Sequence, residues 1–238
     1  MTTDCAGFFT MWNGMAPEVS EAFQLAHARD HLADHLGYLG ENGILWARRH
    51  NRGVGTLPPN FALYGMADLS RLTDPADADR RVPMSDWFRN EIRPKFRDRI
   101  AHHSRVLASA GAGAGGAVAT WLTDLTGDGC DAVKVQTFLE RLLDREAVTA
   151  AHLGLVDWTV PNSVGQPLPV QEPGAPELGV LIVESFDRYR LSSDMPAIFD
   201  DLLKVGLATA QRGFGHYDFS YALNFADLAH HKRFQHPG

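Results

Sequence analysis

The feature that most constrains this chain of 238 residues is a run of small residues, SAGAGAGG at positions 109–116, placed almost at its midpoint. No side chain in the run is large enough to anchor a core, so it reads as a flexible connector between two units, 1–108 and 117–238. Before it, residues 7–15 (GFFTMWNGM) have the aromatic and apolar weight of a buried strand, and residues 17–38 carry no glycine until Gly37 and no proline after Pro17, which predicts a helix. Residues 44–50 and 61–66 follow as strands joined by a Gly- and Pro-rich loop. Pro83 and Pro94 break the helical stretch 76–96 into pieces, and residues 99–107 close the unit as a strand. After the connector the order recurs, with strands at 117–125, 150–160, 180–186 and 217–225 and helices at 133–146 and 195–210. Strand, helix, strand, strand, helix, strand is the ferredoxin-like order, so the chain is predicted to be α+β, two tandem ferredoxin-like (βαββαβ) units with the second degenerate. Each unit alone would leave one sheet face bare; tethered, the two can bury those faces against each other as a covalent pseudo-dimer.

Composition removes several classes of function. Against 22 Lys+Arg stand 29 Asp+Glu, a net charge of -7 that repels a phosphate backbone, so no nucleic-acid partner is expected. Cys5 and Cys130 are too few for a disulfide framework or a four-thiolate zinc cage. The first residues have no basic segment ahead of an apolar run, and no apolar stretch approaches the roughly 18–20 residues that span a bilayer. The expectation is a soluble cytoplasmic protein without a membrane partner, with pairing into a homodimer left open. No Gly-x-Ser-x-Gly elbow or P-loop is present, and the glycines of the connector lie between two strands and not between a strand and a helix, so they are not a dinucleotide fingerprint.

Chemistry concentrates in the first unit. Val19, Phe23, His27, His31 and His35 recur every four residues, which places three imidazoles along one stripe of the first helix. A histidine there can serve as a general base near neutral pH. Asp30 and Asp34 point about 100° away from the histidines that follow them and are poor orienters. The bland reading has His27 and His35 half exposed, His35 interacting with the helix C-terminal dipole. His27 and His31 have the i,i+4 spacing of a helical zinc site, but Ala28, Arg29 and Asp30 between them supply no glutamate base and place a cation beside it, so no metal is expected. Arg48 and Arg49 are neighbours in a strand, so one is expected to face the barrel and the other solvent, the inward one binding a carboxylate or an enolate oxygen. Tyr64 would place a phenol in the same pocket. Trp12, Trp46, Phe61 and Trp87 would supply aromatic walls, with plain core packing as the alternative, and His102 and His103 put one imidazole on each face of their strand, His103 being a candidate for the pocket.

Several of these residues carry a likeness. Phe8-Phe9-Thr10-Met11-Trp12 in the first strand, Pro17-Glu18 opening the helix, Asp30-His31-Leu32 near its end, Ala47-Arg48-Arg49-His50, Ala62-Leu63-Tyr64, and the aromatics Trp87 and Phe96 together resemble the dimeric α/β-barrel superfamily, in particular its EthD-like branch, over about residues 5–108. The helix departs from that pattern at Ala26 and His27, and the second unit matches by element order only, with Glu146 opposite His31. The resemblance implies an intramolecular dimeric α/β barrel with a single pocket in the first unit. The function expected on these grounds is a cofactor-independent lyase, isomerase or cyclase acting on an aromatic or carbonyl-containing small molecule. In it His31 is the base, Arg48, Arg49 and Tyr64 hold the oxygen, and Trp12, His27, Trp46, Phe61, Trp87 and His103 line the pocket. A non-catalytic ligand-binding or assembly protein is the alternative, and a haem- or metal-dependent enzyme the third reading.

Overall fold

Eight strands join edge to edge around a complete circle. In the computed structural model, which describes residues 5–37, 40, 43–73, 84–161 and 168–231, these are β1 (Gly7–Met15), β2 (Ile44–Gly55), β3 (Asn60–Met66), β4 (Phe96–Gly111), β5 (Ala117–Leu125), β6 (Val148–Val156), β7 (Glu177–Ser185) and β8 (Ala208–Asn224). Their order is β1-β3-β2-β8-β5-β7-β6-β4, closed, with every pairing antiparallel. Each unit contributes four strands in the ferredoxin-like arrangement, and the units meet where β2 pairs β8 and β4 pairs β6. The chain is thus α+β, an eight-stranded barrel of the dimeric α/β type made from one polypeptide. The bare faces do turn toward each other, but as the inside of a barrel and not as two stacked sheets, because closure also satisfies the backbone groups that open edges would expose.

Helices lie outside the barrel. In the first unit α1 (Ser20–Ala26) and α2 (Leu32–Gly37) run on through a π-helical turn, His27–His31; in the second, α3 (Ala132–Leu142) and α4 (Arg188–Lys204) are regular and capped by the side chains of Asp131 and Asp187. Among the described residues no helix is long and apolar enough to cross a membrane. The last helix begins at Arg188 and not at Met195, since Asp187 caps it there, and Ala208 already belongs to β8 because Gly206, at φ 75°, ends the helical run. Of the predicted helix 76–96, residues up to 83 lie outside the described ones; the rest forms a π turn, Phe88–Ile92, and a 3-10 turn, Arg93–Lys95. Ser109, Ala110 and Gly111, assigned to the connector on composition, are strand residues paired with His152, Ala151 and Ala150. Gly111 shows why small residues stand there: a Cβ on it would lie 2.2 Å from the Thr149 carbonyl oxygen, and its φ is +77°.

Strand alternation sorts the interior into layers. Phe8, Trp12, Trp46, Phe61, Leu63, Val118, Val180, Ile182 and Tyr217, from both units, fill the lumen. Trp121, Phe138, Leu139, Ile198 and Leu202 pack between sheet and helices in the second unit, and Phe9, Leu32, Leu36, Ala47 and Tyr64 do so in the first. Each fully buried large apolar side chain contributes about 1.5–3 kcal/mol by leaving water. A charged group lies among them: Arg48 of β2 and Glu184 of β7 form a buried ion pair across the lumen, one residue from each unit. The Gly115 amide donates to Glu184 Oε2 at 2.9 Å, and His152 Nε2 lies 3.6 Å from Oε1. His152 Nδ1 is 2.9 Å from Ser109 Oγ. Burial pushes the Glu184 carboxyl up, but the contact with His152, the Arg48 charge and the Gly115 amide outweigh it and hold the group below the usual carboxylate range.

Glu184→Ala would leave Arg48 charged and unmatched, and should lower stability by about 3–5 kcal/mol, read from the denaturant midpoint. Arg48→Met combined with Glu184→Leu removes both charges and should recover most of that loss; an equal loss in both variants would show that the pair matters only through its shape. Because the folded pKa is depressed, the contribution of Glu184 is complete above its unfolded value of about 4.3 and is lost as pH falls through the lower folded value.

Candidate functional site

The strands of the first unit present one set of polar side chains inward and another outward. Alternation along β2 sends Arg48 into the lumen and Arg49 into the layer beneath the first helix, and both are buried, at 0% and 1% exposure. Neither meets solvent, against the expectation from alternation alone, because the outer face of this sheet is covered by helix. Around Arg49 the same layer gathers Tyr64 of β3, Phe9 of β1 and His103 of β4 from the sheet, and Phe23, His27, His31 and His35 from the helix. Phe88, from the π turn that follows the undescribed segment, closes one side.

Ring contacts tie these groups into one chain. Phe23 meets His27 at 5.3 Å between centroids, His27 meets His31 at 5.2 Å, His31 meets His35 at 4.3 Å, and His35 meets Tyr64 at 5.1 Å. Tyr64 lies 5.5 Å from Phe9, which stacks on His103 at 4.4 Å. His31 also lies flat on Phe88, 4.2 Å away with planes 11° apart. The π turn spans His27–His31, with the Leu32 amide donating to the His27 carbonyl, and a wider turn of this kind is frequent at functional sites. It is braced from outside: His231 Nε2 donates to the Arg29 carbonyl at 2.7 Å, while its Nδ1 lies 3.3 Å from the Tyr221 hydroxyl. His27 is consequently buried at 1% exposure and not half exposed, and His35 is partly buried. Asp30 and Asp34 are buried as well and are engaged by other residues.

The floor is fixed by hydrogen bonds. Arg49 stacks its guanidinium over Phe23 at 4.2 Å and donates from Nη2 to Asn60 Oδ1 at 3.4 Å. Gln24 donates to the same oxygen at 3.2 Å, and Asn60 donates to the Asn13 carbonyl at 3.1 Å. What remains unmatched is polar: Arg49 Nε, the Tyr64 hydroxyl, both nitrogens of His27, and Nδ1 of His31 and His103 are buried and have no hydrogen-bond partner among the described residues. Buried polar atoms are nearly always satisfied by protein, water or ligand, so a cluster of open ones marks a place where something else is received.

Electrostatics make the layer a cationic site with neutral bases. Burial, then His35, Arg49, Arg93 and Arg99, hold His31 well below the usual imidazole range; burial, Arg49 and the two other histidines do the same to His27. His35 falls to about 4 through burial and Arg99, and His103 to about 3 through burial, His102, His35 and Arg99, with Asp157 opposing. Burial lowers Arg49 to about 10, so it stays charged at neutral pH, and burial raises Tyr64 while Arg49 and Arg99 draw it back. At pH 7 the layer holds a guanidinium, a phenol and unprotonated imidazoles.

Among solved structures, an anthrone oxidase-like protein superposes with a TM-score of 0.60 at 10% identity, covering 93% of this chain and 94% of that one. A monooxygenase-like protein of Fusobacterium nucleatum matches at 0.55, 10% identity, 93% and 96%. A haem-binding protein of Thermus thermophilus matches at 0.50, 11% identity, 95% and 94%. The likeness is one of fold. No protein-family model and no curated protein matches the chain.

The residues expected to form one pocket fall in two places. His31, Arg49, Tyr64, His27 and His103 share the helix–sheet layer, whereas Arg48, Trp12, Trp46 and Phe61 face the lumen. Trp87 packs beside Phe23 and Ile92 at the edge of the layer. One sheet separates the two groups, so Arg48 cannot reach a molecule held by His31. His35, Arg99, Glu184 and His152 were not among the expected site residues; the signal for Glu184 was a lone carboxylate inside the apolar run VLIVESF. Among the described residues no three His, Cys, Asp or Glu side chains are grouped to hold a metal ion.

Histidine ring signals measured by NMR across pH should show none of His27, His31, His35 and His103 protonating above about pH 6, since all four are depressed from about 6.5. Stability should be complete above that value and fall as pH drops below it, because the unfolded chain takes up protons that the folded layer refuses. A His31 signal that titrates near 6.5 would contradict its burial.

Proposed function

We propose that this protein is an enzyme acting on a small aromatic molecule that bears a carbonyl, bound between the first helix and the outer face of the first unit's sheet. His31 removes a proton from the carbon next to the carbonyl, and Arg49 and Tyr64 hold the oxygen as it becomes an enolate. The observation that carries this is the set of open buried atoms: an unprotonated imidazole, a guanidinium Nε–H and a phenol O–H, all facing one layer and all without partners.

Each group has a reason for its role. An imidazole held neutral is ready to accept a proton, and the negative charge that develops on the substrate offsets the cations that now depress it. Arg49 is fixed by Phe23 and Asn60, so its donors need little reorganisation when charge forms on the oxygen. Tyr64, with a raised pKa, remains a donor throughout. The aromatic side chains Phe9, Phe23 and Phe88 favour a flat substrate and exclude water. From the enolate, protonation elsewhere gives an isomerase, loss of a neighbouring group a lyase, and attack on a second carbonyl a cyclase; we propose this range, and assignment to the EthD-like branch, as the finer reading. Arg48 takes no part.

Haem is held by one of the fold neighbours, which raises the question of fit. Here His31 keeps an open Nδ1, but Phe88 covers one face of its ring and His27 and His35 flank it, which suits a small molecule and not the plane of a porphyrin, so the residues present do not fit one. No step is routed through it.

Aromatic carbonyl compounds that raise the melting temperature are the substrates to assay. His31→Ala should lower kcat/KM by about a hundredfold or more with folding intact, and Tyr64→Phe by about tenfold through loss of one donor. Protein refolded without haem or metal should regain full activity. Unchanged turnover in His31→Ala would remove His31 from the mechanism, and tight binding with no turnover in the wild type would favour a protein that only holds its ligand.

A further inference from the structure

The polar side chains inside the barrel take part in none of these steps. Arg48 donates from Nη1 to Glu184 Oε1, and the other carboxylate oxygen accepts from Gly115, so Glu184 is fully engaged. Arg48 Nε and Nη2 are buried and have no partner among the described residues. These two nitrogens form one edge of the guanidinium plane, a parallel N–H pair whose spacing matches the two oxygens of a carboxylate. The plane lies 4.4 Å over the Trp46 ring, which sets its tilt. Trp46 itself lies against Gly65, where a Cβ would come within 2.2 Å of the indole. Trp46 Nε1 is also buried and open, and His50, whose ring meets the Phe61 backbone, lies on the same face of the strand as Arg48. Most of these atoms are donors, so the missing partner is an acceptor.

We infer that the lumen is a second binding site, in which the Nε/Nη2 edge of Arg48 takes a small planar carboxylate of formate or acetate size, beside Trp46 and His50. Phe8, Phe61, Leu63 and Tyr217 belong to the same apolar cluster as Trp46, which restricts the site to a small group. The charge of Arg48 is already matched by Glu184, so a bound anion requires one more positive charge; burial, opposed by Glu184 and the Phe61 backbone and joined by Arg48 and Arg49, lowers His50 to about 4, and a carboxylate held beside it raises that value so that the ring takes up a proton on binding. The charges facing His50 are Arg48 and Arg49 on its own strand and Glu184 from β7; Phe219 of β8 meets it by a ring contact, and Phe61 of β3 by a stacked ring and a backbone hydrogen bond. Binding is therefore accompanied by proton uptake and tightens as pH falls. The site stands on the opposite face of the sheet from His31, so it is independent of the proposed reaction.

The test is a titration of the full chain with sodium formate, followed through the guanidinium Nε–H and indole Nε1–H signals in 15N–1H spectra, with sodium chloride at equal ionic strength as control. A saturable shift of the Arg48 and Trp46 signals, larger at pH 6 than at pH 8 and absent with chloride, is expected; Arg49 Nε should stay in place. Arg48→Lys keeps a charge for Glu184 but lacks the paired edge, and should abolish the Trp46 shift. Wild-type shifts no larger than those with chloride, or centred on Arg49, would overturn the inference whether or not the variant folds.

Discussion

Two strand pairings, β2 with β8 and β4 with β6, turn a pair of open four-stranded sheets into one closed barrel, and the rest of the molecule follows from them. Closure gives every strand two neighbours and divides every strand's side chains between a lumen and an outer layer. It also brings Glu184 of the second unit against Arg48 of the first and encloses both. A charge pair so placed is a weak source of net stability but a strict specifier of register, because a slip of either strand by one residue would turn its charged group to the outer face and leave the other buried without its partner. The connector is held by the same group through the Gly115 amide, and Ser109 is tied to His152, which explains why a stretch without side chains is nonetheless ordered at both ends.

The outer layer of the first unit differs from that of the second in kind. In the second unit Phe138, Leu139, Ile198 and Leu202 fill the space between helix and sheet with carbon. In the first, a row of histidines, an arginine and a phenol occupy the equivalent space, with several of their polar atoms unmatched. Such a layer loses stability relative to its apolar counterpart, and loss of that kind concentrated in one place is characteristic of a binding or catalytic site. The helix that carries the row is itself irregular, with a π turn held open by His231 and Tyr221 from the end of the chain.

Much of this is legible in the letters. The strand Gly7–Met15 and the strand Ala117–Leu125 have the bounds that their apolar runs suggest, and the repeated element order points to the architecture. The histidine row is visible as a four-residue spacing, and His31, Arg49, Tyr64 and His103 do share a layer. What the letters do not reveal is the side of the sheet. Trp46, Arg48 and Arg49 differ by one to three positions, and only the register of β2 against β3 and β8 decides that Arg48 faces Glu184 while Arg49 faces the helix. Nor does spacing reveal a π turn, because the same sequence read as a regular helix leaves His27 half exposed. Glu184 escapes notice because an apolar strand hides the one residue whose partner lies more than a hundred positions away.

Proton transfer at carbon is the step on which the functional account stands, and it can be observed without knowing the final product. A carbonyl compound that binds the protein, incubated with it in D2O and followed by 1H NMR, should lose the signal of the hydrogen next to the carbonyl as deuterium replaces it. Wild-type protein should drive that exchange and His31→Gln should not. A substrate converted by the wild type with that hydrogen fully retained would contradict the account.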